Sequence, residues 1–288
     1  MSAELSGSAE LGRICGVAAV CARDLRRCAE LYGELFPASP FDAAFFSSLT
    51  LVGAFGSPWA DADLLKAVNR ASLFVTGVDR LFDLVAGSRR EVDELVRDCL
   101  EVADGAVPGS PITRFLADLR DELATAPHFA GLAAVWHDQL RLMLEAMARE
   151  WRWHEGGERP GYGAYLANAD STGSTFVNVS HWIYTGDSWT LAHLDELRTT
   201  VSAEVQRYLR LLNDLATYRR DVSWGELNVL MLGVGRDEVD ERMAALVRSA
   251  NTQIEAVRDG SPRTALYLER QIGFNTGFYG IADFWGEL

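Results

Sequence analysis

The sequence predicts an all-α chain, a single-domain helical bundle around a buried centre. Three observations predict it. Apolar residues recur at helical spacing along most of the chain, no run alternates with period two between turn residues, and proline and glycine fall mostly between the helical segments. Several of those segments are apolar around much of their circumference, as helices that surround a buried centre are.

The elements follow in chain order. Asp24 to Phe36 is amphipathic and stops before Pro37. Asp61 to Ala86 is long and strongly apolar, with Gly87 after it, and Arg89 to Val102 follows. Pro111 to Ala124 sets Phe115, Leu119 and Leu123 on one face. His128 to Trp153 is long and ends at Gly156, Gly157 and Pro160. Tyr162 to Tyr184 reads as two pieces parted near Thr172 and Gly173. Leu191 to Asp221 reads as one long helix, Asp237 to Asp259 ends at Gly260, and Pro262 to Trp285 closes the chain. With no linker or repeat between them, these helices make one domain over residues 21–288. A polar N-terminal segment, residues 1–20, precedes it as a candidate for disorder.

Composition excludes several functions. A chain that is 48% hydrophobic can bury enough surface to fold. A net charge of −14 does not suit nucleic acid or an anionic membrane surface. No stretch approaches the ~18 uninterrupted apolar residues of a membrane helix. Met1 to Arg13 carries Glu4 and Glu10, unlike a secretory leader, so the expected compartment is the cytoplasm. Cys15, Cys21, Cys28 and Cys99 show neither zinc spacing nor a disulfide framework.

Two places set acidic or amide residues inside helices that otherwise look buried. In the first, Asp79 and Asp83 are one turn apart on one face, among Phe74, Val75, Val78, Leu81 and Phe82. Carboxylates in such surroundings are costly unless paired or metal-bound, and two of them offer the hard oxygens that Mg²⁺ prefers. The same pair also fits a wet helix face with Arg80 as partner. In the second, Asn213, Thr217 and Asp221 stand at i, i+4 and i+8, one stripe of amide, hydroxyl and carboxylate oxygens. Arg219 and Arg220 beside it suit an anion that a metal also holds.

At these residues the chain resembles the class I terpene synthases, and its Asn168-Ala-Asp170 stretch and Tyr279-Gly-x-x-Asp283-Phe-Trp285 tail look most like the bacterial diterpene cyclases among them. Asp79 to Asp83, DRLFD, stands where that family has an aspartate-rich DDxxD. Asn213 to Asp221, NDLATYRRD, fits the family's (N/D)Dxx(S/T)xxx(D/E) at every defined position. The resemblance spans roughly residues 20–288 and includes the broken helix after Pro160. It implies a single-domain helical bundle around a central apolar cavity, up to three Mg²⁺ ions held by Asp79, Asp83, Asn213, Thr217 and Asp221, a prenyl diphosphate substrate and a homodimer. The chain departs from the family in three places. Arg80 replaces the second aspartate, which puts the ion count in question. No Lys or Arg occurs from Pro160 through Leu197, where the diphosphate-sensing arginine is expected. Asn168 and Asp170 are the polar candidates at that break, and Arg270 and Tyr279 are the nearest to the family's C-terminal Arg-Tyr pair.

The implied chemistry is ionisation of an allylic diphosphate, with C20 geranylgeranyl diphosphate expected, followed by cyclisation of the carbocation to a diterpene hydrocarbon or alcohol. Metal and the arginines Arg220, Arg219 and Arg210 would offset the charge of the departing diphosphate. Phe55, Phe74, Phe82, Phe176, Trp182, Tyr279 and Trp285 are the candidate rings for the cation. Core packing competes with that role at each of them. His181, Trp151, Trp153 and His154 are expected to be structural. Three other substrates or reactions share the resemblance: a bicyclic labdane-type diphosphate, C15 farnesyl diphosphate, and prenyl-chain elongation. A non-catalytic helical protein that binds a hydrophobic ligand stands outside the enzyme class.

Overall fold

The structure is a computed structural model that describes residues 3–284, with side chains from residue 7 onward. Among the described residues there are thirteen α-helices and no strand. They are α1 (Ala3–Glu30), α2 (Ala43–Gly56), α3 (Lys66–Arg80), α4 (Arg89–Ala103), α5 (Pro111–Leu123), α6 (Phe129–Glu155) and α7 (Tyr162–Ala167). Then come α8 (Ser174–Thr185), α9 (Ser188–Ala192), α10 (Leu194–Thr199), α11 (Val201–Trp224), α12 (Arg236–Gly260) and α13 (Pro262–Tyr279). Among the described residues no helix is long and apolar enough to cross a membrane.

Several boundaries have local causes that the sequence announces. Ser110 and Thr113 form a reciprocal capping box with Pro111 in the first turn of α5. Ser261 accepts from Thr264 N at the start of α13, again with Pro in the first turn. Between α7 and α8 the chain makes a short 3₁₀ turn, Ala169–Thr172, and passes through Gly173 at φ +69°. A Cβ at Gly173 would lie 2.5 Å from Val75 Cγ1, so both the backbone and the space demand glycine.

Other boundaries differ from the sequence expectation. The expected segment 1–20 is continuous with α1 from Ala3 on, and Ile14 and Ala18 share an apolar cluster with Ala54 and Val68. α2 carries no sequence signal because it is apolar nearly all round and so has no periodic stripe. The helix expected over Leu191 to Asp221 is three helices, α9 to α11. Thr199 and Thr200 hydroxyls bond back to Asp195 and Glu196 carbonyls at 2.8 and 2.7 Å, and β-branched Val201 follows at the break.

The core fixes the helices that carry the site. Phe74 of α3 is stacked on Phe115 of α5 at 6.3 Å and meets Phe176 of α8 at 5.8 Å. Trp136 of α6 lies 5.6 Å from Phe176, and its indole N–H donates to Ser180 Oγ at 3.0 Å. Truncating a ring buried this fully costs about 3–5 kcal/mol. α11, α12 and α13 pack on one another and close the other side.

Candidate active site

A cavity of about 480 Å³ lies between α2, α3, α6, α8, α11 and α13. Down α3 its lining runs Asp83, Asp79, Thr76, Val75, Ser72 and Val68, so the charges sit at one end. That end is the mouth. Asp83 follows α3 on a π-helical turn, Leu81–Val85, closed by the Ala86 N–H to the Leu81 carbonyl at 2.9 Å. Irregular turns of this kind inside helices often mark functional positions.

The mouth is rich in carboxylates. Glu150 of α6, Asp221 of α11 and Glu226 beyond α11 line it together with Asp79 and Asp83. Burial, then the charge of Glu150, pushes Asp79 up to about 7 against the pull of Arg210 and Arg220. Asp83 exposes its surface into this concave mouth. Enclosure, then the charges of Asp79 and Glu226, holds its carboxyl well above the usual range. Burial, with Asp79 and Asp221 next, raises Glu226 to about 7. Among the described residues neither Asp79 nor Asp83 makes a hydrogen bond or an ion pair.

The second motif is bonded within itself. Thr217 Oγ1 donates to the Asn213 carbonyl at 2.9 Å and lies 2.7 Å from Asp221 Oδ2. Asn228 Nδ2 donates to the same Asp221 oxygen at 2.8 Å and to the Asp214 carbonyl at 2.7 Å. Arg220 meets Asp221 Oδ1 at 3.3 Å and pairs with Asp283. Asn213 Nδ2 donates to Tyr279 Oη at 3.2 Å. Thr217 itself is buried behind the cavity wall.

Arg210 lies under the mouth. Its guanidinium pairs with Glu150, donates to Ser171 Oγ at 2.8 Å and to Tyr165 Oη at 2.8 Å, and lies 3.3 Å from Asp214. A cation therefore touches the turn between α7 and α8 although that segment contains none. Asp170 in the same turn accepts from Gln139 at 2.8 Å and Gln206 at 3.0 Å, and Asn168 ties α6 to it through the Ala146 carbonyl at 2.9 Å. These two polar residues brace the break.

The oxygen donors suit a hard cation. Like-charged carboxylates in excess of nearby cations are stabilised by one, and Mg²⁺ takes one or two carboxylates while keeping waters or substrate oxygens. Among the described residues no three acidic, histidine or cysteine side chains converge into a ready cage. The donors are instead divided between two walls, so an ion there would take its remaining ligands from water or substrate.

Of the predicted residues, Asp79, Asp83, Asn213, Asp221, Arg210, Arg220, Phe82 and Tyr279 reach the cavity. Others do not. Phe74, Phe176 and Trp182 are spent on core packing, and Phe55 sits tilted against Phe274 with ring centroids 5.5 Å apart, off the cavity wall. Arg219 faces outward. Arg270 donates to the Phe55 carbonyl at 3.1 Å, away from the site. Trp285 lies outside the described residues. Trp151 belongs to the core as expected and also lines the cavity, as His154 does, whereas His181 is buried away from it with Nε2 2.7 Å from Ser57 Oγ. Sequence reasoning missed Glu150, Glu226 and Asn228. The available signal for the last two was their position a few residues beyond the second motif.

Comparison with known proteins agrees with this geometry. The sequence pattern of terpene synthase family 2, C-terminal metal binding, matches residues 71–253. The ent-pimara-9(11),15-diene synthase of Streptomyces sp. (strain KO-3988) is 27% identical over 274 residues, covering 92% of this chain and 91% of that protein. Among solved structures, 2-methylisoborneol synthase from Streptomyces coelicolor A3(2), in complex with Mg²⁺ and geranyl-S-thiolodiphosphate, superposes with a TM-score of 0.75 at 15% identity, covering 94% of this chain and 93% of that one. Isoprene synthase from grey poplar leaves (Populus x canescens) gives 0.67 at 18% identity. There the match covers 90% of this chain and 53% of the other, so this chain spans about half the length of the plant protein.

Proposed function

We propose that this chain, which belongs to terpene synthase family 2, uses Mg²⁺ to ionise C20 geranylgeranyl diphosphate and cyclises the carbocation to a diterpene. The observation that carries the reading is the division of one cavity. Oxygen donors and arginines gather at its mouth, and apolar side chains such as Val68, Val75 and Leu49 line its inner walls. The relative named as an ent-pimara-9(11),15-diene synthase supports a C20 substrate.

Asp79 and Asp83 on one wall and Asn213 and Asp221 on another would hold the metal, with Thr217, expected as a ligand, bracing Asp221 from behind the wall. Bound Mg²⁺ supplies charge stabilisation for the diphosphate as the allylic C–O bond breaks. Arg220 and Arg210 add fixed positive charge where negative charge develops on the leaving group. The apolar walls exclude bulk water, which would otherwise quench the cation early. Phe82 and Tyr279 line the cavity, where a ring face turned to the cation would be worth roughly 0.5–2 kcal/mol. A proton lost at the end of the cascade goes to the diphosphate, so no side-chain base is required.

The test is incubation of the purified protein with Mg²⁺ and C10, C15 and C20 prenyl diphosphates, scoring released diphosphate and extracted products together. Turnover of the C20 substrate to a cyclic product, abolished by EDTA, is expected. Turnover of C15 alone overturns the chain length. Silence with all three overturns a linear C20 substrate and points to a bicyclic labdane-type diphosphate or to a hydrophobic-ligand-binding protein.

A further inference from the structure

One wall of the cavity departs from the others. Tyr267, Gln271, Asn275 and Tyr279 follow one another at four-residue spacing on α13, and all four line the cavity. The face that α13 turns to the substrate is therefore polar along its length. Across from it stand Leu49 and Val52 of α2, Val75 of α3, Met147 of α6 and Val177 of α8. A polar stripe inside an apolar chamber costs free energy unless its groups are bonded.

Three of the four have partners. Tyr267 Oη donates to Asn178 Oδ1 at 2.8 Å. Gln271 Nε2 donates to the same oxygen at 3.2 Å, and Gln271 Oε1 accepts from Asn178 Nδ2 at 3.1 Å. Tyr279 Oη accepts from Asn213. Asn275 differs. Its Nδ2 donates to the Gln271 carbonyl at 2.7 Å, which fixes which end of the amide is nitrogen. Among the described residues nothing donates to Asn275 Oδ1, and that atom is not sealed in the core. It stands as an open acceptor on the wall of the stripe.

We propose that Asn275 Oδ1 holds a water molecule against the reacting chain, so that the cascade ends in water capture and the product is a cyclic alcohol. This rests on the cyclase reading above. An acceptor takes one O–H of the water and leaves the water's lone pairs turned to the cavity. A lone pair forms the new C–O bond at the terminal carbocation, and the positive charge passes to the oxonium oxygen. The oxonium proton then leaves to the diphosphate released on ionisation. Cation and water give alcohol, and the diphosphate gains the proton. Asn275 is a positioning residue here, since an amide oxygen is too weak a base to keep that proton.

The experiment runs the Mg²⁺ reaction with the C20 diphosphate in ¹⁸O-water and follows products by gas chromatography–mass spectrometry beside diphosphate release. A cyclic alcohol carrying the label is expected. Asn275→Leu should shift the alcohol-to-hydrocarbon ratio about tenfold toward hydrocarbon, the worth of one hydrogen bond in a branching step. The ratio is read among products that have already ionised, so it does not depend on how fast diphosphate is released. Hydrocarbon alone from the parent, with diphosphate released, overturns the inference and leaves the cyclase reading standing. Labelled alcohol at an unchanged ratio from Asn275→Leu overturns the role of Asn275. Absence of diphosphate release from the parent overturns both.

Discussion

The two oxygen-bearing walls of the mouth are built on different principles. On α11, Asp221 is held by Thr217, Asn228 and Arg220, so its carboxylate has a fixed place. On the π-helical turn after α3, Asp83 and its neighbour Asp79 have no such partners among the described residues, and burial, then the carboxylate charges around them, pushes both carboxyls upward. One wall is pre-organised by protein donors. The other is held in electrostatic tension that a cation relieves. A site made this way keeps one wall fixed and lets the second complete its coordination only when charge arrives.

The largest expected effects separate the walls. Asp83→Ala should lower diphosphate release at least about a hundredfold, as loss of a group that stabilises leaving-group charge does. Its thermal midpoint without metal should hold or rise, because a repelling carboxylate is gone. Asp221→Ala should lose as much activity and also about 1–3 kcal/mol of stability, since Asn228, Thr217 and Arg220 lose their acceptor. Thermal denaturation beside a diphosphate-release assay checks both. Equal stability losses would break the comparison.

The same contrast explains what the sequence made legible. Asn213, Thr217 and Asp221 could be read because helical periodicity alone puts them on one stripe, and the break at Gly173 because glycine and the preceding turn announce it. Asp79 and Asp83 were legible as carboxylates in apolar surroundings, but not the π-helical turn that carries Asp83, which has no marker residue. Which rings form the aromatic wall could not be read from the sequence. Phe74, Phe176 and Trp182 have the same periodicity whether they face a cavity or another helix, and only tertiary packing decides. Glu150 and the polar face of α13 were silent for the same reason. Their partners come from α11 and α8, far away in sequence.

A smaller effect sharpens the comparison at a residue that touches no substrate. Asn228 is fully buried and holds Asp221 from behind. Asn228→Ala should raise the Mg²⁺ concentration for half-activity by about tenfold, the usual scale for a residue that orients a metal ligand. Binding of Mn²⁺ to the substrate-free protein, followed by electron paramagnetic resonance, should weaken in parallel. Unchanged metal affinity would mean that Thr217 and Arg220 suffice to place the carboxylate.

His181 gives a reference point away from both walls. Burial pushes its imidazole down to about 3, so the folded protein keeps it neutral, while the unfolded chain binds a proton below about 6.5. Acid therefore favours unfolding, and stability from this residue is lost as pH falls from about 6.5 toward 3. At pH 6 the loss is about 0.8 kcal/mol. His181→Gln should flatten that part of the stability profile in urea titrations at pH 5 to 8, with no change in slope above pH 7. An identical acid slope in the variant would assign the loss to other groups.

The smallest effect is expected at Arg80, the residue that replaces an aspartate of the first motif. It lines the cavity, yet among the described residues it forms no ion pair, with Asp79 and Asp83 its near neighbours in sequence. An arginine that served mainly to neutralise those carboxylates would be paired with one of them. Arg80→Ala should therefore change stability by less than about 0.5 kcal/mol, as a surface substitution does, and leave diphosphate release within about threefold of the parent. Arg80→Asp, which restores the second carboxylate, adds a like charge to the strained wall. It should lower the thermal midpoint without Mg²⁺ and recover it when Mg²⁺ is added. Failure of the metal to recover it would show that the α3 wall has no room for a further ion, and would place the whole divalent charge against Asp221.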